Sequence, residues 1–187
     1  MFEKVETGIP GCFLLRPRAF RDVRGTFVKH FHAPSFAALG LENAFVEDFF
    51  SISGRGVVRG FHFQSPPHDH AKLVVCLSGS VRDAVVDLRP GSPALGKAIS
   101  IDLNGDDPVA LYVPRGAGHA FQATSDGALV LYKTTTVHSP EHDPGVRWDS
   151  CGVEWALIEP LVSNRDLAFP TLGEYLGTQT SGSYTPR

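Results

Sequence analysis

Residues 57–75 read VVRGFHFQSPPHDHAKLVV: two apolar runs that look like strands, joined by a Pro-Pro segment. His62, His68 and His70 fall within nine positions there. Clustered histidine permits two chemistries, ligands for a metal ion or a base that takes a proton from a substrate. The strand reading extends outward from this stretch. Short apolar segments recur as TFVKHF (26–31), NAFVEDFF (43–50), KLVVCLSG (72–79), SVRDAVVDL (80–88), KAISIDL (97–103), VALYV (109–113) and GALVLYKTTT (127–136). In SVRDAVVDL the period of two sends Ala84, Val86 and Leu88 to one face and Asp83, Val85 and Asp87 to the other. Breakers at LSGS (77–80), RPGSPALG (89–96), LNGDDP (103–108) and TSDG (124–127) separate the runs at hairpin-like spacing. Many short strands between Gly/Pro turns give an all-β sandwich or barrel.

Helical signal is sparse. APSFAALGL (33–41) offers Ser35 as an N-cap and Gly40 as a stop, which predicts one short helix, and TLGEYLG (171–177) offers a second. The polar, turn-rich residues 178–187 read as a loose tail. No internal repeat and no linker divides the chain, so residues 1–187 are expected to form a single domain.

The totals narrow the function. The 187 residues are 42% hydrophobic and 20% charged, ordinary for a globular protein, with a net charge of -3. That balance, with a pI near 6.2, gives no global attraction to nucleic acid or an acidic membrane. Any anion site must therefore be local. Cys12, Cys76 and Cys151 are odd in number, far apart and outside any CxxC spacing, which suits a reducing cytoplasm rather than a disulfide framework. The acidic start MFEKVETGIPG is unlike a signal peptide, and the longest apolar runs are too short for a bilayer span.

A metal site on a β-barrel needs three or four converging His, Asp or Glu side chains. His68 and His70, two apart, could face one side, and His119 in VPRGAGHAF could join them. This spacing is similar to that of metal-binding cupins, but no carboxylate occurs from Lys72 to Leu77, and a lysine among ligands repels a cation. The competing reading, preferred on the Pro-Pro that precedes them, makes SPPHDH an exposed loop with solvated histidines. His62 stands apart: alternation puts Val58, Gly60 and His62 on one face and Arg59, Phe61 and Phe63 on the other. Taken alone it reads as a structural histidine; partners would make it a base. Lys72 lies within a buried run, Tyr132 offers a phenol, and Asp166 in VSNRD could hold an imidazole. Such a set moves protons beside a carbonyl: the imidazole abstracts, the ammonium steadies an enolate, and the phenol reprotonates.

Several stretches, RGTF (24–27), GVVRGFHFQ (56–64), AKLVVCLSGSVRDAVVDLRPGSPALGK (71–97), VPRGAGHAF (113–121), LYKTTT (131–136), SPEHDPGVRWD (139–149) and PLVSNRD (160–166), resemble the dTDP-4-dehydrorhamnose 3,5-epimerase family. The similarity runs from about residue 8 to 172, in matching order and spacing. It implies a cupin-type double-stranded β-helix, a jelly-roll barrel with one or two short helices. It also implies a homodimer without metal or organic cofactor, and a nucleotide-linked 4-keto-6-deoxyhexose, most simply dTDP-linked, as substrate. By position, His62 is the implied base with Asp166 behind it, Tyr132 the acid, and Lys72 and His119 the contacts to the keto sugar. Arg24 and Arg59 are implied to grip the diphosphate, as bidentate guanidinium groups suit, with Arg165 where the family commonly has a lysine.

Departures from the family pattern fall on nucleoside recognition and the sugar rim. Thr26 and Phe27 stand for Phe-Phe, Lys29 for a glutamate, and Glu47, Asp48 and Phe49 for Gln-Asp-Asn. His138 replaces a tyrosine expected to stack on the base, and Asp143 a glutamate. The expected activity is epimerisation at C3, C5 or both of a nucleotide-linked, most simply dTDP-linked, 4-keto-6-deoxyhexose, and the departures leave the nucleotide and the sugar open to change. A metal-dependent cupin, a sugar-nucleotide 3,4-ketoisomerase and a non-catalytic binding module are the competing readings. His68 and His70 have no place in the family pattern and are expected to be loop residues near the site mouth.

Overall fold

Period-two alternation gives each strand two faces, and in the central strands both are apolar, so each sheet must be covered on both sides. The computed structural model describes residues 2–181 and meets that demand with two stacked sheets. The strands are β1 (Phe2–Glu6), β2 (Phe13–Pro17), β3 (Ala19–Asp22), β4 (Gly25–Val28), β5 (Glu47–Ser53), β6 (Val57–His62) and β7 (Lys72–Ser78). They continue as β8 (Ser80–Asp87), β9 (Ala98–Asn104), β10 (Ala110–Val113), β11 (Ala117–Ala123), β12 (Ala128–Thr134) and β13 (Leu161–Val162). One sheet has the order β1-β2-β10-β7-β12-β5, the other β13-β6-β11-β8-β9, and β3-β4 forms a separate hairpin. Pairing is antiparallel except between β13 and β6. This is a cupin-like jelly roll.

The space between the sheets is filled by Val74, Val85, Leu111, Phe121 and Val130. The outer face of the first sheet, with Leu15, Leu73 and Val75, packs under Phe36 of α1 (Ala33–Ala38). Phe31 meets Phe36 and Phe45 edge to face at 5.0 and 5.1 Å. The outer face of the second sheet, with Phe61, Ala84, Val86 and Leu88, lies under Val146, Trp155 and Tyr175. The alternation read in SVRDAVVDL is therefore realised, with Val85 inside the barrel and Ala84, Val86 and Leu88 outside it.

One alternation fails, and its failure builds the site. In β6, His62 pairs with His119 but Arg59 pairs with Phe121, so three steps on β6 span two on β11. The extra residue is a β-bulge, and it reverses the facing of everything before it. Arg59 thus shares the inner face with His62 instead of opposing it. Gly60 permits the bulge: its φ is +117°, and a Cβ there would sit 2.5 Å from the His119 carbonyl oxygen.

The helices differ from expectation at their ends. α1 begins after His32, with a proline in its first turn, so Ser35 lies inside the helix and its hydroxyl meets His32 Nδ1 at 2.8 Å. The stop is as read: Gly40 has φ +72°, and the Leu41 and Gly40 N–H groups donate back to Phe36 and Ala37. α2 (Asn164–Leu167) was not expected. α3 runs from Leu172 to Ser181, so residues 178–181 continue a helix instead of forming the expected loose tail. Residues 182–187 of that tail lie outside the described residues. Among the described residues no helix is long and apolar enough to cross a membrane.

Candidate active site

Five strands from both sheets, β5, β6, β7, β11 and β12, bring polar side chains to one cavity. His62 ends β6 and lies directly opposite His119 on β11. Lys72 opens β7, opposite Thr134 of β12, and Tyr132 sits two residues earlier on that strand. The strand parity carries these side chains to one face, and His62, Lys72, His119 and Tyr132 line a cavity of about 420 Å³. Arg59, Glu47, Phe49, His138 and Asp143 line it too. Nine of the thirteen expected site residues thus meet in one space.

The imidazole of His62 is held from behind. Its Nε2 stands 2.9 Å from Asp166 Oδ1, and Asp166 Oδ2 accepts the Gly60 N–H at 3.0 Å. α2 places the carboxylate: the Ser163 hydroxyl caps that helix by accepting the Asp166 N–H, and β13 lies alongside β6. Burial alone would raise the Asp166 pKa. The hydrogen bond and charge of His62, with the Gly60 N–H and Ser163, outweigh burial and hold it below the usual carboxylate range. An ionised Asp166 fixes the proton on Nε2 and leaves the Nδ1 lone pair as the basic atom.

The other members are tuned by burial. Lys72 is 8% exposed, and loss of solvent brings its pKa down to about 8, with Asp143 and Asp83 acting the other way. Its ammonium donates to the His62 carbonyl at 3.0 Å, which leaves two hydrogens for a ligand. Tyr132 is buried, and burial raises its phenol above the ordinary value, so it stays protonated. Its ring stacks on Phe49, its cross-strand neighbour, at 4.8 Å and 15°, and meets the His119 ring edge-on at 5.9 Å. His119 Nε2 lies 2.9 Å from both oxygens of Asp83, a fully buried carboxyl whose pKa burial raises against the pull of His119.

Partly and fully exposed members mark the mouth. Glu47 Oε2 accepts the His138 N–H at 2.7 Å, and His138 Nε2 is 3.2 Å from Asp143 Oδ2. Arg165 is outside the cavity lining but donates to Asp143 Oδ2 and to its carbonyl, both at 2.8 Å. Burial would raise Asp143, yet Arg165 and His138 keep its pKa below the usual value. Arg59 Nε donates to Ser53 Oγ at 3.1 Å.

Two expected residues do not join. Arg24 sits at the tip of the β3-β4 hairpin, paired with Asp22, and Lys29 is exposed beyond its end; neither lines the cavity. Phe20 and Phe27 on that hairpin are 53% and 62% exposed. The physical reason is that the hairpin pairs only with itself.

Five lining residues were missed, among them Phe121 of the core and Thr134 opposite Lys72. Ser51 lies beside the Tyr132 hydroxyl, and Gln64 accepts the Ser139 N–H and donates to the His68 carbonyl. Ser51 follows Glu47 and Phe49 by alternation on β5, a signal present in the sequence. The fifth is His70, expected to be a solvated bystander but present in the cavity wall. Counting back two from Lys72 would have found it. His68 instead packs against His142, ring centroids 4.4 Å apart and planes tilted by 40°. Among the described residues no three His, Cys, Asp or Glu side chains stand close enough to hold a metal ion, so His68, His70 and His119 do not converge.

Comparison with known proteins adds to this geometry. The family model described as dTDP-4-dehydrorhamnose 3,5-epimerase matches residues 6–174. The protein of that description in Shigella flexneri is 37% identical over 166 residues, covering 87% of this chain and 92% of its own. The one in Streptomyces griseus is 40% identical over 171 residues, covering 89% and 84%. Among solved structures, NovW, a 4-keto-6-deoxy sugar epimerase of Streptomyces spheroides, superposes with a TM-score of 0.91 at 34% identity, covering 96% of this chain and 92% of NovW. ChmJ, a 3'-monoepimerase from Streptomyces bikiniensis in complex with dTDP-quinovose, does so at 0.86 and 32%, covering 92% and 90%.

Proposed function

The chain belongs to the dTDP-4-dehydrorhamnose 3,5-epimerase family, and from that premise we propose the parts its residues play. It is an isomerase that epimerises a nucleotide-linked 4-keto-6-deoxyhexose next to the ketone, and dTDP is the nucleotide carrier. His62 Nδ1 takes the proton from the carbon beside the C4 ketone. The C–H electrons form the enolate double bond, and the carbonyl oxygen takes up negative charge. The Lys72 ammonium, with His119 nearby, stabilises that oxygen, an effect strongest where water is excluded. The Tyr132 hydroxyl returns a proton to the opposite face. Its raised pKa makes the phenolate costly, so once the carbon has taken the phenol's proton the phenolate takes one from solvent and the His62 imidazolium gives its own up to solvent, which restores both groups. The base is rigid because Asp166 and the Gly60 bulge hold it.

The observation that carries this reading is the single cavity shared by an Asp-backed imidazole, a buried ammonium and a buried phenol. Arg59, with Arg165 at the side, provides the charge for a diphosphate. Glu47, Phe49, His138 and Asp143 are the nucleoside and sugar contacts at the mouth. Three free, buried cysteines fit a cytoplasmic enzyme.

The active species is a homodimer. β5 is a sheet edge, with Phe49, Phe50 and Ile52 exposed, and an unpaired edge is a template for another strand. The hairpin carries exposed Phe20 and Phe27. A partner's hairpin lying along β5 would cover both patches. Because Glu47, Phe49 and Ser51 of β5 line the cavity, that hairpin would bring Arg24 to its mouth.

Incubation with dTDP-4-keto-6-deoxyglucose in heavy water tests the chemistry. NMR is expected to show deuterium entering at C3 or C5 with an inverted product. A substrate that stays fully protonated would overturn the reading, and a 3-keto product would make the enzyme a ketoisomerase.

A further inference from the structure

His70 has no part in the scheme above, yet it stands in the cavity wall two residues before Lys72. Its two nitrogens have different fates. Nδ1 lies 3.3 Å from Thr136 Oγ1, while that hydroxyl is 2.8 Å from the His68 carbonyl. The hydroxyl has one hydrogen, and the shorter contact takes it, so Thr136 accepts from Nδ1–H. Nε2 is then the bare nitrogen, a lone pair. It is buried and has no hydrogen-bond partner among the described residues. A buried acceptor without a donor costs free energy, and most such atoms are partnered.

The ring is also kept neutral. Burial, with Lys72 adding to it, pushes the His70 pKa down to about 3. The nitrogen therefore stays an acceptor over the whole working range of pH. Asp143, Arg115 and His138 are the other charged or titratable groups that bear on it, and of these Asp143 and His138 line the cavity too. His70 thus shares the cavity wall with the proposed enolate contact Lys72 and with Asp143 and His138 of the mouth. The part of the ligand that passes there is the hexose. A 4-keto-6-deoxyhexose joined to phosphate at C1 has hydroxyls only on C2 and C3.

We propose that His70 Nε2 accepts a hydrogen bond from the C2 or C3 hydroxyl of the hexose, making His70 a sugar-positioning residue. The assignment rests on the nucleotide-sugar reading above, and it separates the hexose from the nucleotide. The hydroxyl supplies the donor that the buried nitrogen lacks, and the neutral ring fixes the sugar without competing for the proton being moved.

Calorimetry tests this without turnover, by comparing dTDP with dTDP-6-deoxyglucose. In His70→Phe, which keeps a ring and removes the lone pair, affinity for dTDP-6-deoxyglucose is expected to fall about tenfold, the worth of one neutral hydrogen bond. Affinity for dTDP alone should stay within about twofold. His70→Gln, whose side-chain oxygen can accept, should recover most of the loss. Of the 2-deoxy and 3-deoxy analogues, one should bind wild type and His70→Phe alike. Equal weakening toward dTDP, unchanged affinity for the sugar nucleotide, or loss that persists with both analogues overturns the assignment. Failure of the epimerase reading shows elsewhere, as absence of deuterium uptake by wild type, and leaves these affinities readable.

Discussion

The interior of the barrel and the β3-β4 hairpin are opposite in construction. Inside, His62, Lys72, Tyr132 and Asp166 are each held by a bond or a packed ring from the same chain. On the hairpin, among the described residues, Arg24 is paired with Asp22, two residues away, and Phe20 and Phe27 meet each other at 6.4 Å with the Arg18 guanidinium 4.9 Å over the Phe20 ring. In the proposed reading the proton-transfer groups are complete within one protomer, whereas one part of the grip on the substrate, Arg24, stands on a segment that none of the described residues covers. Catalysis needs reacting groups held within fractions of an ångström, which a packed interior supplies. Charge neutralisation of a diphosphate tolerates looser placement.

That contrast can be broken at the interior end with the largest effect. His62→Ala should lower kcat by about 10²–10⁴-fold, the usual worth of a general base, with dTDP affinity retained. Asp166→Asn should lose less, because the imidazole remains but its proton is no longer fixed on Nε2. If Asp166→Asn proved the more damaging, the carboxylate would be acting on something other than His62.

At the hairpin, Arg24→Ala should raise KM about tenfold or more while leaving kcat nearly unchanged, as loss of one charged contact predicts. Phe27→Asp should shift sedimentation from dimer toward monomer and reproduce the Arg24 defect. Full affinity in a monomeric Phe27→Asp protein would show that the hairpin does not serve the partner's cavity.

The smallest effect is in the pH profile, and it concerns Lys72. Its folded pKa of about 8 lies below the ordinary 10.5. Rising pH therefore removes the ammonium first in the folded enzyme, and kcat should decline through an ionisation near 8. Between those two values the unfolded chain binds the extra proton, so Lys72 adds to stability as pH rises there. A profile flat to pH 10 would exclude the ammonium as the enolate contact.

The strands were legible because period two and Gly/Pro punctuation are local properties: SVRDAVVDL shows both of its faces without a partner. Most site residues were legible too, but through their family order and not their spacing, since nothing local links His62 to Tyr132. Two failures have one cause. Arg59 was assigned to the wrong face, and His70 to solvent, because each side chain's facing depends on pairing across strands. The bulge at Gly60 appears only when β6 is laid against β11. The burial of His70 appears only when Thr136 and the 138–143 segment close over it. Residues 178–181 became helix for a similar reason: Tyr175 has an apolar layer to pack on, with Phe63 5.4 Å away, and the helix is carried past the polar stretch.

The sequence by itself determined an all-β chain, where its strands turn, and which residue types were available for moving a proton. Tertiary structure decided which of them share a cavity and in what ionisation state, because both follow from distance and burial. A lysine, a phenol and an imidazole have ordinary affinities for protons in any extended chain. Only the closing of two sheets over them takes water away, brings Lys72 down, keeps Tyr132 protonated and leaves His70 Nε2 without a donor.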